Sequence, residues 1–269
     1  MKKFLKPLIV LLVISFTLNL SAQKWKILRF EAALGVGSCN IFGDIGGSPT
    51  NSNLFGLKDI SFSTSRPSLV FGFRYKLVEN MALKFNLNFC MGGGSDKSSP
   101  VAETKARGYT FTSILSEQSL QYEFYIIPED KIHHSSAGYS RSGMMNNYSM
   151  ISAYLFGGLG GAFYTAKVGG TPLLDGSGQP VDIRTPSGYT LVIPAGIGAK
   201  MVWSDRWSFN AEMGYRYTIS DGLDGLTSKY SKANDIYWMT TITACYRIKT
   251  NRNGYPDFLY RWFLPRPDR

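Results

Sequence analysis

Histidine and cysteine are scarce in this sequence, and their scarcity argues against most metal and redox chemistry. The 269 residues include three cysteines and two histidines. Three cysteines are too few for a disulfide framework, and none has the spacing of a zinc ligand. The histidines are the adjacent pair His133 and His134, with no cysteine nearby. A solvated loop is therefore favoured over a zinc site, and no cofactor is predicted.

Long apolar runs and runs of like charge are also missing. Beyond residue 22 no segment approaches the roughly 20 apolar residues of a spanning helix. A membrane-embedded form of this chain must therefore be a closed β-barrel. The net charge of +10 comes without a lysine or arginine run and without a nucleic-acid-binding motif. Scattered, solvated charge is favoured over a nucleic-acid site.

The N-terminus has the features of a secretory signal peptide. A basic start at 1–6 is followed by an apolar segment at 7–20 and by small residues before a cleavage site after Ala22. A membrane anchor is the weaker alternative, because the apolar segment is short and interrupted by polar residues. The predicted parts are a signal peptide (1–22), an outer-membrane β-barrel (23–249) and a periplasmic C-terminal tail (250–269).

Side chains alternate between apolar and polar along most of the remaining chain. The pattern is clearest from Trp207 to Lys249, which is predicted to form two paired strands and a loop. Apolar and aromatic residues share one face of the first arm, whereas Glu212, Gly214 and Arg216 share the other. Successive side chains of a strand point to opposite sides of the sheet. Aromatic ends on the apolar face and charge on the opposite face indicate a barrel with lipid outside.

Eight such segments predict an all-β fold, an eight-stranded antiparallel transmembrane barrel. The connections alternate between long and short, which is typical of long extracellular loops and short periplasmic turns. The connection at 128–147 is longer than this rhythm leads one to expect. Side chains fill the interior of an eight-stranded barrel, so no diffusion pore is implied. The predicted extracellular segments are 41–66, 92–112, 167–188 and 220–233.

Charged residues occur at positions predicted to face the lumen. Isolated charges are costly in a low-dielectric interior, so these side chains are expected to pair across the barrel. A proton or ion path is the alternative to this structural network. The predicted lumen charges are Glu31, Arg74, Lys76, Lys84, Glu123, Lys200, Glu212, Arg216 and Arg247.

Motifs of catalysis are not found. The glycines at 157–161 lack the Lys-Ser/Thr of a phosphate-binding loop. They are interpreted as small strand residues that admit a bulky opposing side chain or let the strand coil. No serine lies in a G-x-S-x-G elbow, and the predicted outer loops contain no histidine. The sequence therefore predicts a protein that is not an enzyme.

The cysteines are predicted to remain free thiols. Cys39 and Cys90 fall at the outer ends of the first and third strands, with the second strand between them. Cys245 falls at the inner end of the last strand. No two of them are expected to be adjacent, so no disulfide is predicted.

The C-terminal segment 250–269 extends beyond the last strand and combines aromatic with arginine side chains. Such clusters are enriched at protein interfaces, which favours docking of a periplasmic partner. The alternative is a tail that tucks against the barrel mouth or lies on the membrane surface. The candidate docking residues are Tyr255, Phe258, Arg261, Trp262 and Phe263.

Three stretches resemble the PorG-type family of OmpA-like outer-membrane barrels from Bacteroidota, which is associated with the type IX secretion system. They are GDIGG at 43–47, AYLFGGLGGAFY at 153–164 and EMGYRYTISDGLDGLTSKY at 212–230. The sequence departs from the family where Gly222 and Gly225 interrupt the acidic loop, and where 128–147 resembles an insertion. The family motif residues are Gly43, Asp44, Ile45, Gly46, Tyr215, Arg216 and Tyr217.

The resemblance implies an accessory role without catalysis. A PorG-like barrel, surrounded by outer-membrane lipids, is expected to anchor a periplasmic ring built from a PorK-like lipoprotein and a PorN-like protein. The alternative is a generic OmpA-like or OmpW-like outer-membrane protein that serves as a structural element, an adhesin or a narrow channel.

Overall fold

The structure is a computed structural model of the chain. The residues that it describes are 28–45, 65–98, 102–128, 139–140, 143–144, 151–170, 177, 182–204, 206–228, 234–250 and 256. The predicted signal peptide, His133 and His134 and all five candidate docking residues of the tail lie outside the described residues. Most of the connection at 128–147 does as well.

Eight long antiparallel strands close into one barrel, which confirms the predicted fold class. Their order around the wall is β1-β12-β10-β9-β7-β4-β3-β2. The closing seam joins β1 to β12 in register from Phe30 opposite Ile248 to Phe42 opposite Ile236. The barrel strands are β1 (Phe30–Phe42), β2 (Arg66–Val78), β3 (Met81–Ser95), β4 (Thr110–Ile127), β7 (Ile151–Gly169), β9 (Ser187–Val202), β10 (Trp207–Thr218) and β12 (Ile236–Ile248).

Short elements lie between these strands. Two small antiparallel pairs also form. β5 (Tyr139–Ser140) pairs with β6 (Gly143–Met144), and β8 (Asp182–Arg184) pairs with β11 (Leu226–Ser228) from a different connection. A single-turn helix α1 (Ala102–Arg107) follows a 3₁₀ turn at Asp96–Ser98. No helix among the described residues is long and apolar enough to cross a membrane.

The strands β3 and β4 extend further than the sequence predicts. They remain paired as far as Ser95 opposite Thr110, so the connection predicted at 92–112 is shorter. Gly92, Gly93 and Gly94 have no side chains that could alternate between apolar and polar. The predicted strand therefore ends before them. The backbone ladder continues through them, because pairing requires N–H and C=O groups and not side chains.

The two ends of the barrel differ. One end carries both chain ends of the barrel and the tight connections from Val78 to Met81 and from Val202 to Trp207; it is called the turn end. The Ser204 hydroxyl accepts a hydrogen bond from the Trp207 amide there, at 3.1 Å. The connection from β4 to β7 is also at this end. The opposite end carries the connections after β1, β3, β7 and β10 and is called the loop end.

The distribution of polarity is inverted relative to a soluble protein. Outward-facing apolar side chains are exposed, for example Val36 at 63%, Leu159 at 70% and Ile242 at 62%. Aromatic pairs mark both borders of this surface, with Trp207 against Tyr246 near the turn end and Phe163 against Tyr189 near the loop end. An apolar belt between two aromatic girdles is typical of a transmembrane barrel. The outer surface of this wall therefore faces lipid.

Candidate functional site

Arg74 on β2 is the centre of the charge cluster inside the lumen. Its guanidinium binds Glu123 on β4 through two nitrogens, at 2.7 and 2.9 Å. A third nitrogen, Nη1, donates to Glu31 on β1 at 2.8 Å. All three side chains are at most 1% exposed. A bidentate arginine–carboxylate pair is strong and geometrically specific, so one side chain joins three strands.

Two lysines and a further arginine complete the cluster, one of them (Lys84) from the strand next to Arg74. Lys200 on β9 lies 2.5 Å from Glu31 Oε1, and Lys84 on β3 lies 2.5 Å from Glu212 Oε1 on β10. Arg247 on β12 reaches Glu31 at 3.4 Å. Each carboxylate of this cluster (Glu31, Glu123 and Glu212) therefore has a cation within ion-pair distance. Such a set cross-links the wall and satisfies charges that would be costly alone.

Glu117 forms a second ion pair and was not among the predicted lumen charges, whereas its partner Arg216 was. Glu117 on β4 is fully buried, and its Oε2 lies 3.7 Å from Arg216 Nε. The hydroxyl of Tyr237 on β12 donates to the same oxygen at 2.7 Å. Alternation from Glu123 in steps of two does lead to position 117, so the sequence carried the signal for this residue. Lys76, which was predicted, lies buried near the turn end.

The predicted arrangement of the cysteines needs correction. All three are free and buried, as predicted. The expectation that no two are adjacent does not hold inside the lumen, because Cys39 and Cys90 lie close enough to interact and belong to one buried cluster. The intervening strand β2 separates them along the wall, but both point inward and meet across the narrow lumen. Cys245 lies near the turn end, 4.0 Å from Arg74 Nη1.

Two of the family motifs meet at the loop end. The Asp224 carboxylate, in the segment after β10, accepts hydrogen bonds from the amides of Ile45 (3.1 Å) and Leu226 (2.9 Å). A side chain at Gly43 would collide with this carboxylate, since an added Cβ would lie 2.6 Å from Asp224 Oδ2. The Asp235 carboxylate accepts from the Leu223 amide at 2.7 Å. These contacts are called the clasp, formed by Gly43, Asp44, Ile45, Leu223, Asp224, Leu226 and Asp235.

Apolar side chains seal the lumen beneath the clasp. Ile45, Leu223 and Leu226 are at most 2% exposed and pack into one buried cluster with Tyr109 and Phe111. The backbone oxygen of Asp44 also accepts a bond from Arg107 at 2.7 Å. The loop end is thus plugged by the chain's own loops.

The remaining motif residues have separate environments. Arg216 points inward, donates to Gly214 O at 2.9 Å and belongs to the Glu117 pair. Tyr215 and Tyr217 face outward, Tyr215 against Trp238 with ring centroids 4.6 Å apart. Gly46 lies outside the described residues. The described motif residues therefore lie in three places, namely the clasp, the lumen ion pair and the aromatic outer wall.

The clasp carboxylates have raised pKa values. Burial raises the pKa of Asp224 from 3.8 to about 6, and the nearby Asp44 adds to the effect. Burial and the Asp224 charge raise the pKa of Asp235 to about 9. Both carboxylates accept hydrogen bonds from backbone amides, and these bonds partly offset the rise in pKa. Asp235 is therefore protonated in the closed clasp at neutral pH.

One known family matches almost the whole barrel sequence. The family described as "Domain of unknown function (DUF6089)" matches residues 3–249. The chain belongs to the DUF6089 family. No curated protein matches the sequence.

Solved structures similar to the DUF6089 chain are outer-membrane proteins. Ail of Yersinia pestis is 13% identical, with 82% of this chain and 99% of that chain covered and a TM-score of 0.40. OprG of Pseudomonas aeruginosa is 10% identical, with coverages of 83% and 98% and a TM-score of 0.38. The protease OmpT of Escherichia coli is 10% identical, with coverages of 81% and 96% and a TM-score of 0.32. Identities and TM-scores are low, and the likeness says nothing of what this chain binds or catalyses.

Hard metal sites are not found within the described ranges. No group of three or more histidine, cysteine, aspartate or glutamate side chains there could hold a metal ion. The acidic residues of the clasp are used as acceptors for backbone amides. Their arrangement fits a hydrogen-bonded closure of the loop end.

The clasp of the DUF6089 chain is expected to weaken as pH rises. An acid with a raised folded pKa binds more protons when folded, so its stabilising effect is complete below pH 3.8 and declines towards pH 6 for Asp224 and pH 9 for Asp235. Between pH 6 and 8 the opening equilibrium should rise up to about tenfold per pH unit. Amide hydrogen exchange at Leu223, corrected for intrinsic base catalysis, measures this slope.

The variant Asp235→Asn should remove most of this slope. The amide keeps an oxygen for the Leu223 N–H but cannot ionise, so opening becomes nearly independent of pH in that window. Asp221→Asn, at a less buried acid of the same loop, is the matched control and should retain most of the slope. An unchanged slope in Asp235→Asn would contradict the assignment.

Proposed function

We propose that this DUF6089 chain is a non-enzymatic outer-membrane anchor of the type IX secretion system that docks periplasmic ring proteins at its turn end. The observation that carries the anchoring role is the Arg74 cluster, in which buried ion pairs occupy the lumen from β1 to β10. A barrel cross-linked in this way has a rigid wall, as a fixed point for a partner requires. The lipid-facing wall supports placement in the outer membrane, because closed barrels leave no unpaired strand edge in lipid.

The turn end offers the surface for a partner. Thr250 forms an isolated antiparallel bridge with Pro256, and both residues are buried. The start of the tail therefore folds back immediately after β12. Residues 257–269 continue from this point with their aromatic and arginine side chains, which are the residue types that interfaces favour. In this proposal the turn end faces the periplasm and the clasp faces outward.

The identity of the partners rests on the family resemblance of the motifs at 43–47 and 212–230. A ring of a PorK-like lipoprotein and a PorN-like protein requires a fixed point in the outer membrane. The barrel supplies the fixed point, and the tail supplies the contact. The proposal assigns no catalytic group to the barrel.

Removal of residues 257–269 is expected to abolish co-purification of the ring proteins. The truncation leaves the Thr250–Pro256 bridge in place, so the barrel itself should still fold and show heat-modifiable migration on a gel. A tagged protein is isolated from native envelopes, and the periplasmic proteins that accompany it are identified. The pair Trp262→Ala and Phe263→Ala should reduce recovery by about tenfold or more, as expected of aromatic hot spots.

The matched control is Arg184→Ala, at an exposed position of the loop end, which should leave recovery unchanged. Undiminished recovery after the truncation would show that the tail is not the contact. Failure of the full-length protein to recover any ring component would remove the secretion role altogether.

A narrow channel is the second candidate, favoured by the middle of the lumen. The side-chain oxygens of Asn86, Asn88, Gln121 and Thr241 are buried without a hydrogen-bond partner among the described residues. Buried polar atoms of this kind are usually satisfied by internal water. Conductance in a planar bilayer would support the channel, and its absence would leave the anchoring role.

A further inference from the structure

Three sulfur atoms converge inside the lumen on the loop-end side of the charge cluster. Cys39 on β1 lies directly opposite Met239 on β12 in the strand register. Cys90, on β3, lies across the lumen with its Sγ 3.5 Å from Met239 Sδ. The Cys39 and Cys90 side chains lie close enough to interact, and both belong with Met239 to one buried cluster. All three residues are at most 1% exposed.

The wall is shaped to bring these side chains together. Strand β2 separates β1 from β3, and the residue that it places beside Cys90 is Ser68. A serine is small enough to leave the space between the two cysteines open. The Ser68 hydroxyl is itself buried without a hydrogen-bond partner among the described residues. Two thiols from non-adjacent strands therefore face each other with a thioether beside them.

The surroundings are apolar on one side and charged on the other. Ile41, Val70, Leu115 and Tyr237 belong to the same buried cluster as the sulfurs. On the turn-end side lies the Glu117–Arg216 pair, and the Arg216 guanidinium is near enough to Cys90 to interact with it electrostatically. A site in this position is shielded from water and has both charges of this ion pair beside it.

We propose that Cys39, Cys90 and Met239 form a binding site for a soft monovalent metal ion, Cu(I) or its analogue Ag(I). Thiolate and thioether sulfur are the donors that select Cu(I) over harder ions. Binding displaces one proton from each thiol to solvent, so two thiolates and one Cu(I) carry a net charge of −1. The Arg216 guanidinium, which is shared with Glu117, offsets part of this charge. The site does not depend on the secretion role, because it lies in the wall and not at the turn end.

A disulfide explains the geometry less completely. It would use only Cys39 and Cys90 and would leave the contact with Met239 without a purpose. A metal ion uses all three sulfurs and protects both thiols in an exported protein, where disulfide formation is otherwise favoured. The remaining cysteine, Cys245, contacts Arg74 and Thr243 and serves as an internal control.

The test uses the full-length barrel, folded in detergent with a thiol-free reductant. Cu(I) is supplied as its bicinchoninate complex, and transfer to the protein is followed by the loss of the complex's colour. The expected result is one ion per barrel. Cys39→Ser and Cys90→Ser should each lower the affinity by more than about 100-fold, since outer-shell partners alone are worth about 10–100-fold. Met239→Leu should lower it less, and Cys245→Ser should leave it unchanged.

A measurement on the unaltered protein guards against variants that fail to fold. X-ray absorption at the copper edge should show sulfur as the sole donor type. Oxygen or nitrogen donors, a stoichiometry near zero, or an equal loss of affinity in Cys245→Ser would each overturn the site. So would a Cys39–Cys90 disulfide in protein purified from envelopes without reductant. The metal is added in one sample before folding and in another after folding, and the comparison shows whether the closed loop end admits the ion. Absence of binding in both samples also overturns the proposal.

Discussion

Replacement of Arg74 by leucine is expected to lower the free energy of unfolding of the barrel by about 3–5 kcal/mol, the usual cost of breaking a buried ion pair from one side. The substitution leaves Glu31 and Glu123 without the guanidinium that lies 2.8 and 2.7 Å from them. Lys200 still neutralises Glu31, so Glu123 is the more affected carboxylate. Urea titration of the barrel in lipid vesicles, followed by fluorescence of its five tryptophans, gives the change.

The matched control is Arg206→Ala, at an exposed arginine of a turn-end connection. It should change the free energy of unfolding by no more than about 0.5 kcal/mol. The double variant Arg74→Leu with Glu123→Leu should recover part of the loss, because replacing both partners by apolar groups is often nearly neutral. Equal stability of Arg74→Leu and the natural protein would mean that Arg74 does not hold the lumen together.

Alanine at Gly158 is expected to destabilise the barrel by about 3 kcal/mol, near the upper end for overpacking. An added Cβ would collide with the carbonyl oxygen of Leu120 and would lie 2.8 Å from Gln121 Cα, both on the neighbouring strand β4. These are backbone atoms, so β4 would have to move. The glycine is required here by close approach of the neighbouring backbone, which is neither of the two interpretations drawn from the sequence (room for a bulky opposing side chain, or coiling of the strand).

Gly157 provides the comparison one residue away. An added Cβ there would meet no atom within 4 Å, because the position faces outward. Gly157→Ala should be neutral or should stabilise the barrel by about 0.5–1 kcal/mol, the cost of glycine relative to alanine. The same urea titration measures both variants. Equal effects at the two positions would refute the assigned directions of the residues.

The alternation of side chains was sufficient to predict the wall. One apolar face and one polar face per strand fix which residues face lipid, and the charged residues predicted for the lumen are buried. Strand ends were less predictable, since Gly92 to Gly94 continue the ladder of β3 without any side-chain signal. Glu117 shows a different limit. Its position in the alternation was visible, but its partners Arg216 and Tyr237 come from other strands.

Contacts across the lumen could not be predicted, because they depend on the tilt and stagger of all eight strands. Glu31 and Lys200 are separated along the wall by other strands, yet they form an ion pair. The same closure brings Cys39 close to Cys90. The sequence prediction had separated them, because it considered only which strands are neighbours in the wall. The clasp was also unforeseen, although both of its motifs were recognised in the sequence.

The closing seam determines the order in which the barrel can be completed. Strand β1 is the first strand made and β12 the last, so the edge of β1 has no final partner until the rest of the wall exists. The bond from Ile45 to Asp224, 179 positions apart, joins the loop after β1 to the loop before β12 and so bridges the same seam at the loop end. Open strand edges attract other chains. A chain that stops before Ile236 would contain every residue of the clasp but would keep this edge exposed, so β12 is the strand that protects the barrel from such pairing.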